Sequence, residues 1–138
     1  MKAQLYHLQI NVADAPRSLP FYRALFGYLE YRTVYDTEAM AGFSGLGTDI
    51  WVGATAPAHT APGFHRERAG LNHLVFRVDR REDVDHFRAE FLAPRKLAPL
   101  YGTPREFPQY RPGSYAVFFE DPDRVKLEIV HIPTAPPV

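Results

Sequence analysis

Gly70-Leu71-Asn72-His73-Leu74-Val75-Phe76-Arg77-Val78 reads as a β-strand in which Leu74, Phe76 and Val78 alternate with His73, Val75 and Arg77. That period-two pattern separates two faces, one suited to burial against a helix and the other carrying a histidine near the start of the strand. An earlier stretch repeats the arrangement. In Leu5-Tyr6-His7-Leu8-Gln9-Ile10-Asn11-Val12, Leu8, Ile10 and Val12 share one face while His7, Gln9 and Asn11 share the other. His7 and His73 thus occupy equivalent points of two similar segments, and Phe21 and Phe87 keep the same offset in the helices that follow.

Working outward, Asp14 is a candidate N-cap, and Leu19, Tyr22, Leu25 and Phe26 recur at helical spacing between Pro16 and Phe26, with Gly27 as the expected stop. Strands are expected at 28–35, 38–44 and 48–53, and the Ala/Pro-rich run 54–69 reads as a linker. After the strand at 70–78, a helix is expected over 80–91 with Val84, Phe87 and Phe91 inward. A short strand over 96–101 precedes a proline-containing loop, 102–113, long enough to suggest a role at a ligand site. Strands at 115–120 and 125–132 are joined by Asp121-Pro122-Asp123-Arg124, and 133–138 reads as a loose tail. The expected fold class is α+β: two βαβββ repeats, about 4–53 and 70–132, in one domain over 1–138. Their sheets would curl around a metal or ligand groove, with the helices outside.

The 138 residues balance 16 basic against 16 acidic side chains and include no cysteine. Without a basic patch, nucleic acid is not an expected partner. Without cysteine, thiolate nucleophiles and thiolate-bound zinc are excluded. No apolar run reaches membrane-spanning length, and Met1 to Gln4 lacks a signal peptide's apolar core, so no membrane partner and a cytoplasmic location are expected. On the final strand, Leu127 and Ile129 share one face and Glu128 takes the other. Three strands therefore each present one ligand-capable residue away from the helices: His7, His73 and Glu128. Two imidazoles and a carboxylate suit a divalent transition metal with positions open to substrate. His59, His65 and His86 fall in the linker or on a helix and read as surface residues.

His7 with Phe21-Tyr22 and Leu25-Phe26-Gly27, then Leu71-Asn72-His73, then Phe118-Phe119-Glu120-Asp121-Pro122-Asp123 with Lys126-Leu127-Glu128, follow an order and spacing that resemble the vicinal oxygen chelate superfamily. This superfamily comprises glyoxalases, bleomycin-resistance proteins and extradiol dioxygenases. The resemblance covers about residues 4–132 and implies a single-domain member with paired βαβββ units that forms a homodimer. It also implies one divalent ion (Zn, Ni, Mn, Fe or Co) held by His7, His73 and Glu128. The implied activity is that of a metal-dependent lyase, isomerase or dioxygenase acting on a small oxygen-chelating metabolite. The alternative is a metal-free antibiotic-binding protein of the bleomycin-resistance type. Trp51, Tyr115, Arg111 and Gln9 are the expected substrate-binding residues. Glyoxalase I-like enzymes add a glutamate ligand on the last strand of the first half, where this chain has Trp51.

Overall fold

The structure, a computed structural model, describes residues 1–133; the rest of the expected tail lies outside them. The chain divides into two compact units, Met1–Phe64 and from His65 onward. Each is a four-stranded mixed sheet with a helix against one face, an open α+β arrangement.

In the first unit, β1 (His7–Val12) leads into α1 (Ala15–Tyr28), followed by β2 (Arg32–Asp36), β3 (Met40–Gly45) and β4 (Thr48–Ala54). The sheet order is β1-β4-β3-β2, with β1 parallel to β4 and the other pairs antiparallel. Asp14 caps α1 as expected, its carboxylate accepting from the Arg17 N–H. Leu19, Tyr22, Leu25 and Phe26 are all buried, and Phe26 stacks on Phe43 of β3 with ring centres 4.6 Å apart. Gly27 does not end the helix. Glu30 takes the left-handed conformation (φ 61°) instead, its N–H bonding Gly27 O while the Tyr31 N–H bonds Phe26 O at 2.8 Å. That pair of bonds is a Schellman closure, completed by contact between the Phe26 and Tyr31 rings. The apolar contact and the two satisfied carbonyls offset the strain of a non-glycine residue there, so the stop falls three residues later.

The second unit runs β5 (His73–Val78), α2 (Arg81–His86), a wider π-helical segment over Phe87–Leu92, β6 (Leu100–Glu106), β7 (Tyr115–Glu120) and β8 (Lys126–His131). Its sheet order is β5-β8-β7-β6, again with the first and last strands parallel. Leu127 and Ile129 of β8 join Val117 and Phe119 of β7 in a core with Val84, Phe87 and Phe91, all essentially inaccessible. Asp121 organises the β7–β8 turn by accepting from the Asp123 and Val125 N–H groups.

β6 departs from the expected pattern. It is not a short strand over 96–101 followed by loop; it continues to Glu106 through a bulge between Leu100 and Arg105. Tyr101 (φ 58°) and Gly102 (φ 64°) take left-handed conformations there. Buried Thr103 holds the bulge: its hydroxyl donates to Leu100 O at 2.7 Å and accepts from the Phe118 N–H at 3.0 Å. The bulge interrupts the period-two alternation, which is why the strand is hidden in the sequence.

Candidate metal centre and cleft

His73 opens β5 and Glu128 lies on β8, two residues along from the Lys126 that pairs with His73 in the ladder. Because β5 and β8 are parallel and adjacent, both side chains emerge on the face opposite α2. His73 Nε2 stands 3.6 Å from Glu128 Oε2. The other ring nitrogen is fixed: Asn72 donates from Nδ2 to Arg66 O at 3.1 Å, which turns its Oδ1 to accept from His73 Nδ1–H at 2.7 Å. A proton on Nδ1 leaves the Nε2 lone pair aimed toward Glu128. Arg66 is in turn anchored by an ion pair with Glu120 on β7.

Glu128 is buried, 6% exposed. Burial pushes its carboxyl up to about 7, against the pull of the Lys126 charge. Burial, and then Lys126, hold the His73 imidazole below its ordinary value. Both groups are driven toward their uncharged forms, so desolvation outweighs any mutual attraction as an ion pair. A divalent cation reverses that balance because it favours the free imidazole nitrogen and the ionised carboxylate together. The spacing fits as well: two ligands about 2.1 Å from an ion at a tetrahedral angle stand roughly 3.4 Å apart. Asn72 supplies the outer hydrogen bond that ligating histidines ordinarily have.

The pair opens into a cleft of about 650 Å³ within the second unit. Phe107 and Phe118 form its apolar wall, edge to face at 5.4 Å, with Tyr101 edge-on to Phe118 at 5.7 Å. Arg105, Arg111 and Lys126 also line it. The stretch expected as a ligand-site loop therefore contributes Gln109, Tyr110 and Arg111 to the wall.

Of the expected residues, His73, Glu128 and Arg111 share this cleft. Among the described residues, no three His, Cys, Asp or Glu side chains cluster as a metal site would require. His7 is an exposed residue at the start of β1, beside Asp49 of β4, its ring edge-on to Tyr6 at 5.7 Å. Gln9 bonds Asn11, and Trp51 is half-buried with its ring 5.7 Å from Tyr35. Tyr115 does not line the cleft. Its hydroxyl donates to Asp85 of α2 at 2.8 Å, and the Arg81 guanidinium lies 3.8 Å over its ring. It shares the parity of Val117 and Phe119, which face α2. Asn72, Lys126 and Phe107 are the residues that sequence reasoning left without a role. For Lys126 a signal existed, since it shares Glu128's face on the same strand.

Three likenesses set this geometry in context. A Bacillus halodurans protein of known crystal structure, provisionally assigned as a glyoxalase, is 35% identical with a TM-score of 0.85, covering 95% of this chain and 97% of that one. The uncharacterised Bacillus subtilis (strain 168) protein YqjT is 29% identical over 126 residues, 91% of this chain and 97% of that protein. Lactoylglutathione lyase from Agrobacterium tumefaciens shares the fold at 18% identity, with a TM-score of 0.67 and 94% of each chain covered. The match to the family description extends over residues 4–129, and on that basis the chain belongs to the Glyoxalase/Bleomycin resistance protein/Dioxygenase superfamily.

Proposed function

We propose that the protein is a divalent-metal-dependent enzyme acting on a small metabolite that chelates through neighbouring oxygens. His73 and Glu128 would be two of the ligands, with His7, supplied by this chain or by a second copy in a homodimer, as the third. The observation that carries this reading is the 3.6 Å gap between His73 Nε2 and Glu128 Oε2, with the opposite ring nitrogen tied down by Asn72. When bound, a divalent ion supplies Lewis acidity to two substrate oxygens. The chain's own residues do the rest. Asn72 holds the imidazole in one tautomer, Phe107 and Phe118 exclude water from one side, and Arg111 and Lys126 present positive charge to a developing negative oxygen.

The test is metal analysis of protein purified without chelators, followed by reconstitution with zinc, nickel, manganese, cobalt or iron(II). One ion per assembled site is expected. Persistent sub-stoichiometric content with every metal would overturn the proposal. A panel of hemithioacetals, catechols and fosfomycin with thiols then sorts lyase, dioxygenase and transferase chemistry. Light scattering of the same preparation measures whether a homodimer forms.

A further inference from the structure

The whole chain is electrically neutral, yet the cleft gathers three cationic side chains, Arg105, Arg111 and Lys126, around one carboxylate, Glu128. Two of these cations lie against the aromatic wall. The Arg105 guanidinium lies 4.2 Å over the Phe107 ring, Phe107 meets Phe118 at 5.4 Å, and Lys126 Nζ stands 5.8 Å from the centre of Phe118. Lys126 is half-buried and marks the end of the wall nearest Glu128. Glu120 pairs with Arg66 and Arg124, Asp83 with Arg80, and Glu106 with Arg81, while Glu128 stands beside His73. Among the cleft's described lining residues Glu128 is the one carboxylate set against these three cations, so the lining carries an excess of positive charge.

We infer that this cleft takes a small organic anion with a flat apolar body, its ring against the exposed Tyr101 and Tyr110, which cover the buried Phe118 and Phe107, and its anionic group held by Lys126. Such a ligand matches the lining at both ends. A neutral apolar ligand leaves the ammonium unmatched, and a cationic one meets three like charges. The volume, about 650 Å³, suits a molecule of one or two rings. Lys126 is then the residue that selects the substrate's charge. This substrate class stands on the proposed enzymatic reading of the same cleft, but it is measurable without any metal.

Chelator-treated full-length protein is titrated calorimetrically with hydrocinnamate, hydrocinnamyl alcohol and propionate, none of which has vicinal oxygens beyond a single carboxylate or hydroxyl. Hydrocinnamate is expected to bind at least about tenfold more tightly than the alcohol, with the preference weakening as salt is raised, and propionate to bind more weakly than hydrocinnamate. Lys126→Met should abolish the preference while leaving alcohol affinity unchanged. Lys126→Arg should keep the preference, which guards against misreading a folding defect. Equal binding of the anion and the alcohol, a preference that survives Lys126→Met, or no binding of either aromatic compound overturns the inference. Metal content is measured on the same samples. Anion preference without metal uptake removes the metal reading alone, and metal uptake without anion preference removes the substrate class alone.

Discussion

Replacing Glu128 with glutamine removes a charge that the fold accommodates poorly, and the size of the effect follows from the site. The carboxyl is 6% exposed and burial raises it from 4.5 to about 7. Between those values the native state holds a proton that the unfolded chain has already released. Native protein therefore binds more protons, and stability falls as pH rises through that window. At about 1.4 kcal/mol per pH unit, the gap amounts to about 3 kcal/mol lost by pH 8 relative to pH 4.5. His73 tilts the other way: its lowered value means that the unfolded chain takes up a proton first as pH falls below 6.5, so its contribution rises with pH. Comparing the wild type with Glu128→Gln at each pH cancels that opposing slope. Urea unfolding in the presence of a chelator should give nearly equal stabilities at about pH 4.5, with the variant ahead by about 3 kcal/mol at pH 8. Added zinc at pH 8 should then stabilise the wild type and leave the variant unmoved. Parallel pH profiles for the two proteins would refute the claim that Glu128 is a desolvated carboxyl.

Four further substitutions test other residues. His73→Ala and His7→Ala should each abolish stoichiometric metal binding, and co-expressing the two variants should restore metal only if a second copy supplies His7; retention of metal by either single variant counts against that residue as a ligand. Asn72→Leu removes the acceptor for His73 Nδ1–H and should weaken metal affinity roughly tenfold to a hundredfold, read by competition with a chromogenic chelator; an unchanged affinity would mean that the outer hydrogen bond is idle. A Cβ at Gly42 would meet the Trp51 ring at 2.9 Å, so Gly42→Ala should cost about 1–3 kcal/mol and shift the emission of the chain's single tryptophan, whereas an unshifted spectrum contradicts that packing.

Most strands were legible because one face of each is buried against a helix and the alternation survives in the residues. Leu127 and Ile129 against Glu128 is the clearest instance, and it led directly to the carboxyl that lines the cleft. The same parity placed Tyr115 with Val117 and Phe119 on the helix side, so the expectation that it binds substrate overlooked a signal that was present. β6 was hidden because its bulge depends on Thr103 reaching a backbone N–H on another strand, a long-range bond that leaves no local pattern. The helix end at Glu30 was hidden for a related reason, since a ring contact between Phe26 and Tyr31 compensates for a residue type that disfavours positive φ. The part of Asn72 in the site was illegible because its orientation comes from the Arg66 carbonyl, in a stretch that reads as linker.

The strand registers show where the two repeats diverge chemically. In the first unit β1 lies beside β4 with His7 next to Asp49 and Gln9 next to Trp51; in the second, β5 lies beside β8 with His73 next to Lys126 and Val75 next to Glu128. Trp51 thus stands at the place of Glu128. There, an indole lying on the bare backbone of Gly42 needs neither proton nor ion. A buried carboxyl beside a neutral imidazole needs one or the other. The two repeats therefore carry two histidines but a single carboxylate at these equivalent positions. Two neutral imidazoles and one carboxylate would cancel only one of the two charges on a divalent ion. The remaining positive charge would favour an anionic ligand, in the same sense as Lys126, two residues from Glu128 on the same strand face. Metal and lysine would then select the same substrate charge from adjacent points of one strand, whereas a four-ligand shell with a second carboxylate would not reinforce that preference.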